Sequence, residues 1–136
     1  MTPVLLVHAG ATLAMAGLIW FVQIVHYPLL GAVGPDAFTA YENAHIRRTG
    51  FVVTPLMFAE LATAAWLAFA QPGAAAYAGL ALLAVIWLST GLLQAPAHGR
   101  LARGFDPALH RRLVRTNWVR TAAWTARGVL ALLILA

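Results

Sequence analysis

The apolar residues of the chain fall into four long stretches, near 3–25, 51–70, 75–93 and 114–135. Each is close to the roughly 20 residues that cross the hydrocarbon core of a bilayer as a helix. Span one ends in a polar group, Gln23, His26, Tyr27 and Pro28. It also carries a strip of small residues, Gly10, Ala14 and Gly17, of the kind that lets helices approach closely in lipid. Between spans one and two, GPDAFTAYENAHIRRTG at 34–50 is polar, with Asp36 placed as an N-cap, and predicts a short interfacial helix. Pro55 predicts a kink near the start of span two. Gln71-Pro72-Gly73 is an uncharged turn into span three, where Trp87, Thr90, Gln94 and His98 share one helical face if the helix survives Pro96. Asp106 before Pro107 is a strong start signal for the fourth helix.

This pattern gives an all-α fold, a four-helix transmembrane bundle forming a single domain over 1–136. Composition agrees: 62% of residues are apolar and 10% charged, too little polar surface for a soluble chain of 136 residues. The N-terminus has no charged region ahead of its apolar run, so span one is expected to be retained and not cleaved as a signal peptide.

Charge sets the expected orientation. All nine basic residues are Arg, with no Lys, and seven of them lie between His98 and Arg127. Arg47 and Arg48 follow span one, and Arg100, Arg103, Arg111, Arg112 and Arg115 follow span three. The positive-inside rule puts both of those connections in the cytoplasm and both termini outside, in a bacterial inner membrane. The same rule accounts for the net charge of +5 with no nucleic-acid partner. The expected partner is the lipid bilayer; association into a homo-oligomer, and a small-molecule or lipidic ligand, are left open by the sequence.

The two halves resemble each other. QIVHYP at 23–28 resembles QAPAH at 94–98, Gly34-Pro35-Asp36 resembles Gly104-Phe105-Asp106, and RTGFV at 48–52 resembles RTNWV at 115–119. Two parallel helix pairs about an axis along the membrane normal are the arrangement this implies. Nine residues past Phe51 is Glu60, and nine past Trp118 is Arg127. An unpaired charge at that depth costs at least roughly 2.5–3.5 kcal/mol, so the two are expected to pair.

Candidate chemistry follows from the remaining polar positions. Helix four carries a stripe, His110, Leu113, Asn117, Arg120, Trp124 and Arg127, in steps of three and four. Such a stripe faces a bundle interior or a cavity. With Glu60, Gln94 and His8 it forms one candidate set, a ligand-binding or ion-pair site built on Glu60, Arg127, Arg120, Asn117, Gln94 and His8. The second set is histidine-rich. Glu42 and His45 form a Glu-x-x-His unit, a recurring ligand pair in helix bundles, and His26 and His98 fall at the same end of the spans. A mononuclear site of His26, Glu42, His45 and His98 suits iron, zinc or copper, and two of the histidines suit a b-type haem. There is no cysteine, no glycine-rich phosphate loop and no serine elbow, which removes thiolate chemistry, nucleotide use and covalent serine catalysis.

On VHYPLL at 25–30, RTGFVVTPLMFAE at 48–60 and RTNWVRTAAWTAR at 115–127, the chain resembles small four-span bacterial integral membrane proteins of unassigned function. In size and span count it also resembles anthrone-oxygenase-like membrane proteins, a likeness that transfers no site residue. The function these observations imply is binding of a metal or haem cofactor near the cytoplasmic face, in a redox enzyme. The alternatives are a carrier or binder of a small or lipidic molecule at the Glu60–Arg127 site, and a structural membrane subunit.

Overall fold

In the structure, a computed structural model that describes residues 2–136 and side chains from Pro3 onward, the four apolar stretches form four helices. They are α1 (Pro3–Leu30), α2 (Pro35–Ala70), α3 (Ala74–Leu101) and α4 (Pro107–Leu135), each long and apolar enough to cross a membrane. Among the described residues there is no strand. The chain is an all-helical, multi-pass membrane bundle. Its surface agrees, because large apolar side chains such as Phe51, Phe69, Leu92 and Leu133 face outward, at 76%, 92%, 71% and 66% exposure. A soluble surface would bury such residues; lipid does not require it.

The helices stand in a square, with α1 beside α2 and α4, and α3 beside α2 and α4. The α1–α4 and α3–α4 seams are the most extensive and the α2–α3 seam is the loosest. Ala16, Leu13 and Gly128 make the close approach of α1 to α4. The expected small-residue strip does not contribute: Gly10, Ala14 and Gly17 are exposed, and added side-chain carbons at the two glycines would meet open space. Small residues favour close packing only on a face the fold turns inward, and this face points out.

The expected short interfacial helix is helical but has no break from span two, so 36 residues run as one helix, α2. At 1.5 Å per residue it is roughly 54 Å long, well beyond a ~30 Å hydrocarbon core, so its first turns stand outside the lipid. Gly50 inside a helix costs only about 1 kcal/mol, and packing of the first turns offsets it. Phe38 is buried against Phe105 with ring centroids 4.8 Å apart. The helix also begins two positions earlier than expected. Gly34, at φ 86°, is the N-cap, Pro35 opens the helix, and Asp36 lies in the first turn.

Two prolines leave their mark in the same way. α1 widens into a π turn at Val22–His26, where the Tyr27 N–H bonds to the Val22 carbonyl, and Pro28 follows. α3 widens at Thr90–Gln94, where the Ala95 N–H bonds to the Thr90 carbonyl, and Pro96 follows. A proline removes an N–H and crowds the carbonyl one turn back. The π turn takes up that strain and lets both helices continue. The extra turn of α3 beyond Pro96 is what places His98 inside the bundle. At the start of α4, the Asp106 carboxylate accepts from the backbone N–H groups of Ala108 and Leu109, at 2.8 and 3.1 Å, as an N-cap.

Candidate functional site

At the end of the bundle that carries the arginine-rich connections, four helices bring polar side chains to one point. α2 supplies Glu42 and His45, one turn apart and so on one face. α1 supplies His26 and Tyr27, and α3 supplies His98. One ligand atom from each of Glu42, His45 and His98 lies within 4.8 Å of the others. His98 Nδ1 is in direct contact with Glu42 Oε1, and His98 Nε2 lies 2.8 Å from the Tyr27 hydroxyl. A carboxylate only accepts, so His98 donates to it from Nδ1, and Nε2 shares the second hydrogen bond with the Tyr27 hydroxyl. His45 Nδ1 lies 2.8 Å from His26 Nε2 and 3.0 Å from the Thr49 hydroxyl. His110 of α4 anchors the tyrosine from behind, its Nε2–H donating to the Tyr27 carbonyl at 2.7 Å.

Glu42 is fully buried, yet its Oε2 has no hydrogen-bond partner. A buried carboxylate oxygen left bare is costly, whereas a cation beside it restores the balance. The side chains grouped with the carboxylate are imidazoles, which are metal ligands in their neutral form. Two histidines and one carboxylate form the set that binds non-haem iron or zinc with positions left open. The rings already touch: centroids are 4.5 Å apart for His26–His45 and 5.0 Å for His45–His98. A porphyrin macrocycle would require these rings to part.

The cluster opens into a cavity of about 400 Å³. It lies at the loose α2–α3 seam, and Trp87, Thr90, Gln94 and His98, the face of α3 expected from sequence, form one wall. Tyr27, His45 and Arg120 close its polar end; Leu18, Val53, Met57 and Phe58 line the rest. Arg120 is 7% exposed, with its guanidinium carbon 5.2 Å from the Trp124 ring centroid in a cation–π contact.

Glu60 and Arg127 meet deeper in the bundle, away from that cavity. Arg127 Nη2 and Nε donate to Glu60 Oε1 at 3.2 and 3.3 Å, and Trp124 Nε1 donates to Glu60 Oε2 at 2.9 Å. Arg127 also reaches the Gly79 carbonyl of α3 through Nη1 and the Thr12 hydroxyl of α1 through Nη2, at 3.5 Å for the latter. One side chain on α4 thereby joins all three other helices. Every polar atom of the pair has a partner, and the space beside it is about 10 Å³, room for one water at most. This is a closed clamp.

The remaining expected residues separate from that pair. His8 Nδ1 lies 2.9 Å from the Thr63 hydroxyl, one turn beyond Glu60. The Asn117 amide donates to Gln23 Oε1 at 2.9 Å, and Gln23 in turn donates to the Val114 carbonyl at 3.1 Å. Gln94 accepts from Ser89 at 2.9 Å, donates to Thr116 at 3.2 Å, and lines the large cavity. Arg120 likewise belongs to that cavity and not to the Glu60–Arg127 pair. The sequence set of six thus divides, with Glu60 on Arg127, Arg120 and Gln94 on the cavity, and His8 and Asn117 each on another partner, because α4 turns its polar stripe toward different neighbours as it descends. Tyr27, assigned only to a polar span end, proves to be the hinge of the histidine cluster; its place between His26 and Pro28 was the available signal. Gly79 acts through a main-chain carbonyl and had none.

The chain matches no protein-family model, no curated protein and no solved structure.

Proposed function

We propose that this protein binds one transition-metal ion through Glu42, His45 and His98 and uses it on a lipid-soluble molecule held in the adjoining cavity. The observation that carries the proposal is the convergence of those three side chains on a buried Glu42 that has one oxygen unpartnered. With an ion in place, His45 would donate its Nδ1–H to His26 and His98 its Nε2–H to Tyr27. Such outer hydrogen bonds orient metal-binding imidazoles and raise their basicity. The metal would supply Lewis acidity, or electron transfer if it is iron or copper. The apolar walls and the loose α2–α3 seam favour a substrate that reaches the site from the bilayer.

The alternative of a ligand site at Glu60 and Arg127 is less well supported, because that pair is saturated and has room for one water at most beside it. Its geometry favours a holding role. Two further features belong to this reading. The matched π turns, each just ahead of a proline, and the pairing of Glu60 with Arg127 support descent of the bundle from two parallel helix pairs. The arginines around both long connections support a bacterial inner membrane with the metal cluster toward the cytoplasm.

The test is an absorption spectrum with elemental analysis on detergent-purified protein. A transition metal near one per chain, with no Soret band, supports the ion. A Soret band would replace it with haem, and a protein that stays metal-free after reconstitution would refute the proposal.

A further inference from the structure

Two hydrogen-bond donors, on residues that line the large cavity, have no acceptor. Arg120 Nε and Trp87 Nε1 are both buried and unpartnered, and both residues line the cavity. Arg120 is 7% exposed, and among the described residues no carboxylate pairs with it. The acids that lie inside the bundle are engaged elsewhere: Glu60 with Arg127, and Glu42 with His98. The chain therefore holds a buried cation whose neighbours are an aromatic ring, the Tyr27 hydroxyl and the cavity. A charge kept inside a spanning segment is expected to have a partner and to mark a ligand path.

We infer that the cavity takes a single-chain lipid ending in a carboxylate, with the carboxylate at Arg120 and the chain leaving between α2 and α3. The inference deepens the proposed function by naming the class of molecule, and it rests on the cavity being that site. Three properties of the cavity select this class. A guanidinium presents a planar fork that matches a carboxylate, and its single charge balances a single anion. The indole N–H of Trp87 adds a second donor and no acceptor, which disfavours a cationic head. About 400 Å³ holds the head and the first part of a chain, and Leu18, Val53, Met57 and Phe58 give that chain apolar walls. The rest of the chain lies in the bilayer, which the loose seam between α2 and α3 permits.

The probe is radiolabelled palmitate, offered to the whole protein in detergent after chelator treatment, with hexadecanol and hexadecylamine as competitors. Running it without metal keeps the readout independent of the metal proposal. Palmitate should bind saturably, and hexadecanol should compete at least about tenfold more weakly, the value of one charge-assisted hydrogen bond. Arg120→Gln should weaken palmitate by about tenfold or more, and Arg120→Lys by less. Trp87→Phe keeps the ring and removes only the N–H, so it should weaken palmitate by a few-fold.

Because Arg120→Gln alters a buried position, a second variant approaches from the other side. Gly50 lines the cavity and an added side-chain carbon there meets open space. Gly50→Phe should therefore fill the entrance and abolish binding without disturbing Arg120. Equal competition by hexadecanol and palmitate, or undiminished binding in both Arg120→Gln and Gly50→Phe, would overturn the inference. Palmitate binding in a protein that never takes up metal would retain it and discard the metal centre alone.

Discussion

The Tyr27 hydroxyl lies 2.8 Å from His98 Nε2, while the other nitrogen of the same ring contacts Glu42. One imidazole thus couples a tyrosine on α1 to a carboxylate on α2. Removing the hydroxyl with Tyr27→Phe deletes a hydrogen bond worth about 1 kcal/mol of stability, and the His110 bond survives because it is made to the main chain. Metal affinity should fall by about 10- to 100-fold, the usual effect of losing an outer-shell partner. Chelator competition measures the affinity and thermal unfolding the stability.

Arg127→Met should destabilise the bundle severely. Removing one member of a buried ion pair leaves the other uncompensated, at about 3–5 kcal/mol. The double variant Glu60→Gln with Arg127→Met should be less damaged than the sum of its parts, since it leaves no lone charge. Unfolding in a graded denaturing detergent gives both values. A single variant with near wild-type stability would show that Arg127 does not clamp the four helices.

Gly79→Ala should leave the same clamp intact. Its added carbon would lie 3.7 Å from Arg127 Nη1, an ordinary contact. Alanine is favoured over glycine in a helix by about 1 kcal/mol, so the melting temperature should hold or rise. A marked fall would mean that the Gly79 carbonyl shifts away from Arg127.

Asp106→Ala removes the acceptor for two backbone N–H groups at the start of α4. The cost should be about 1 kcal/mol, and Asp106→Asn should recover most of it. Thermal unfolding of the three proteins separates the capping bond from any effect of charge.

Much of this architecture is legible in the sequence, and the reasons are physical. Lipid demands long apolar helices, so four spans and their breaks stand out in the sequence. The α4 stripe from His110 to Arg127 announced an inward face, and the matched spacing of Glu60 and Arg127 announced their contact. Local rules failed where tertiary packing overrides them. Gly50 and Pro96 are breakers by propensity, yet α2 runs through Gly50 and α3 absorbs Pro96 with a π turn. The division of Arg120 and Gln94 from Glu60 depends on which neighbour each turn of α4 meets. No spacing along one helix carries that information. The bare Oε2 of Glu42 and the orphan donors of Trp87 and Arg120 are absences of partners, which only a three-dimensional packing can define.

Whether Glu42, His45 and His98 hold a metal is read out by cobalt(II) titration of the chelator-stripped protein. Cobalt takes the ligands that zinc and iron take, and its visible bands report bound nitrogen and oxygen donors. Saturation should come near one ion per chain, with the bands lost in His98→Ala and His45→Ala while Asp106→Ala retains them. Absence of binding, or bands that persist unchanged in both histidine variants, would contradict it.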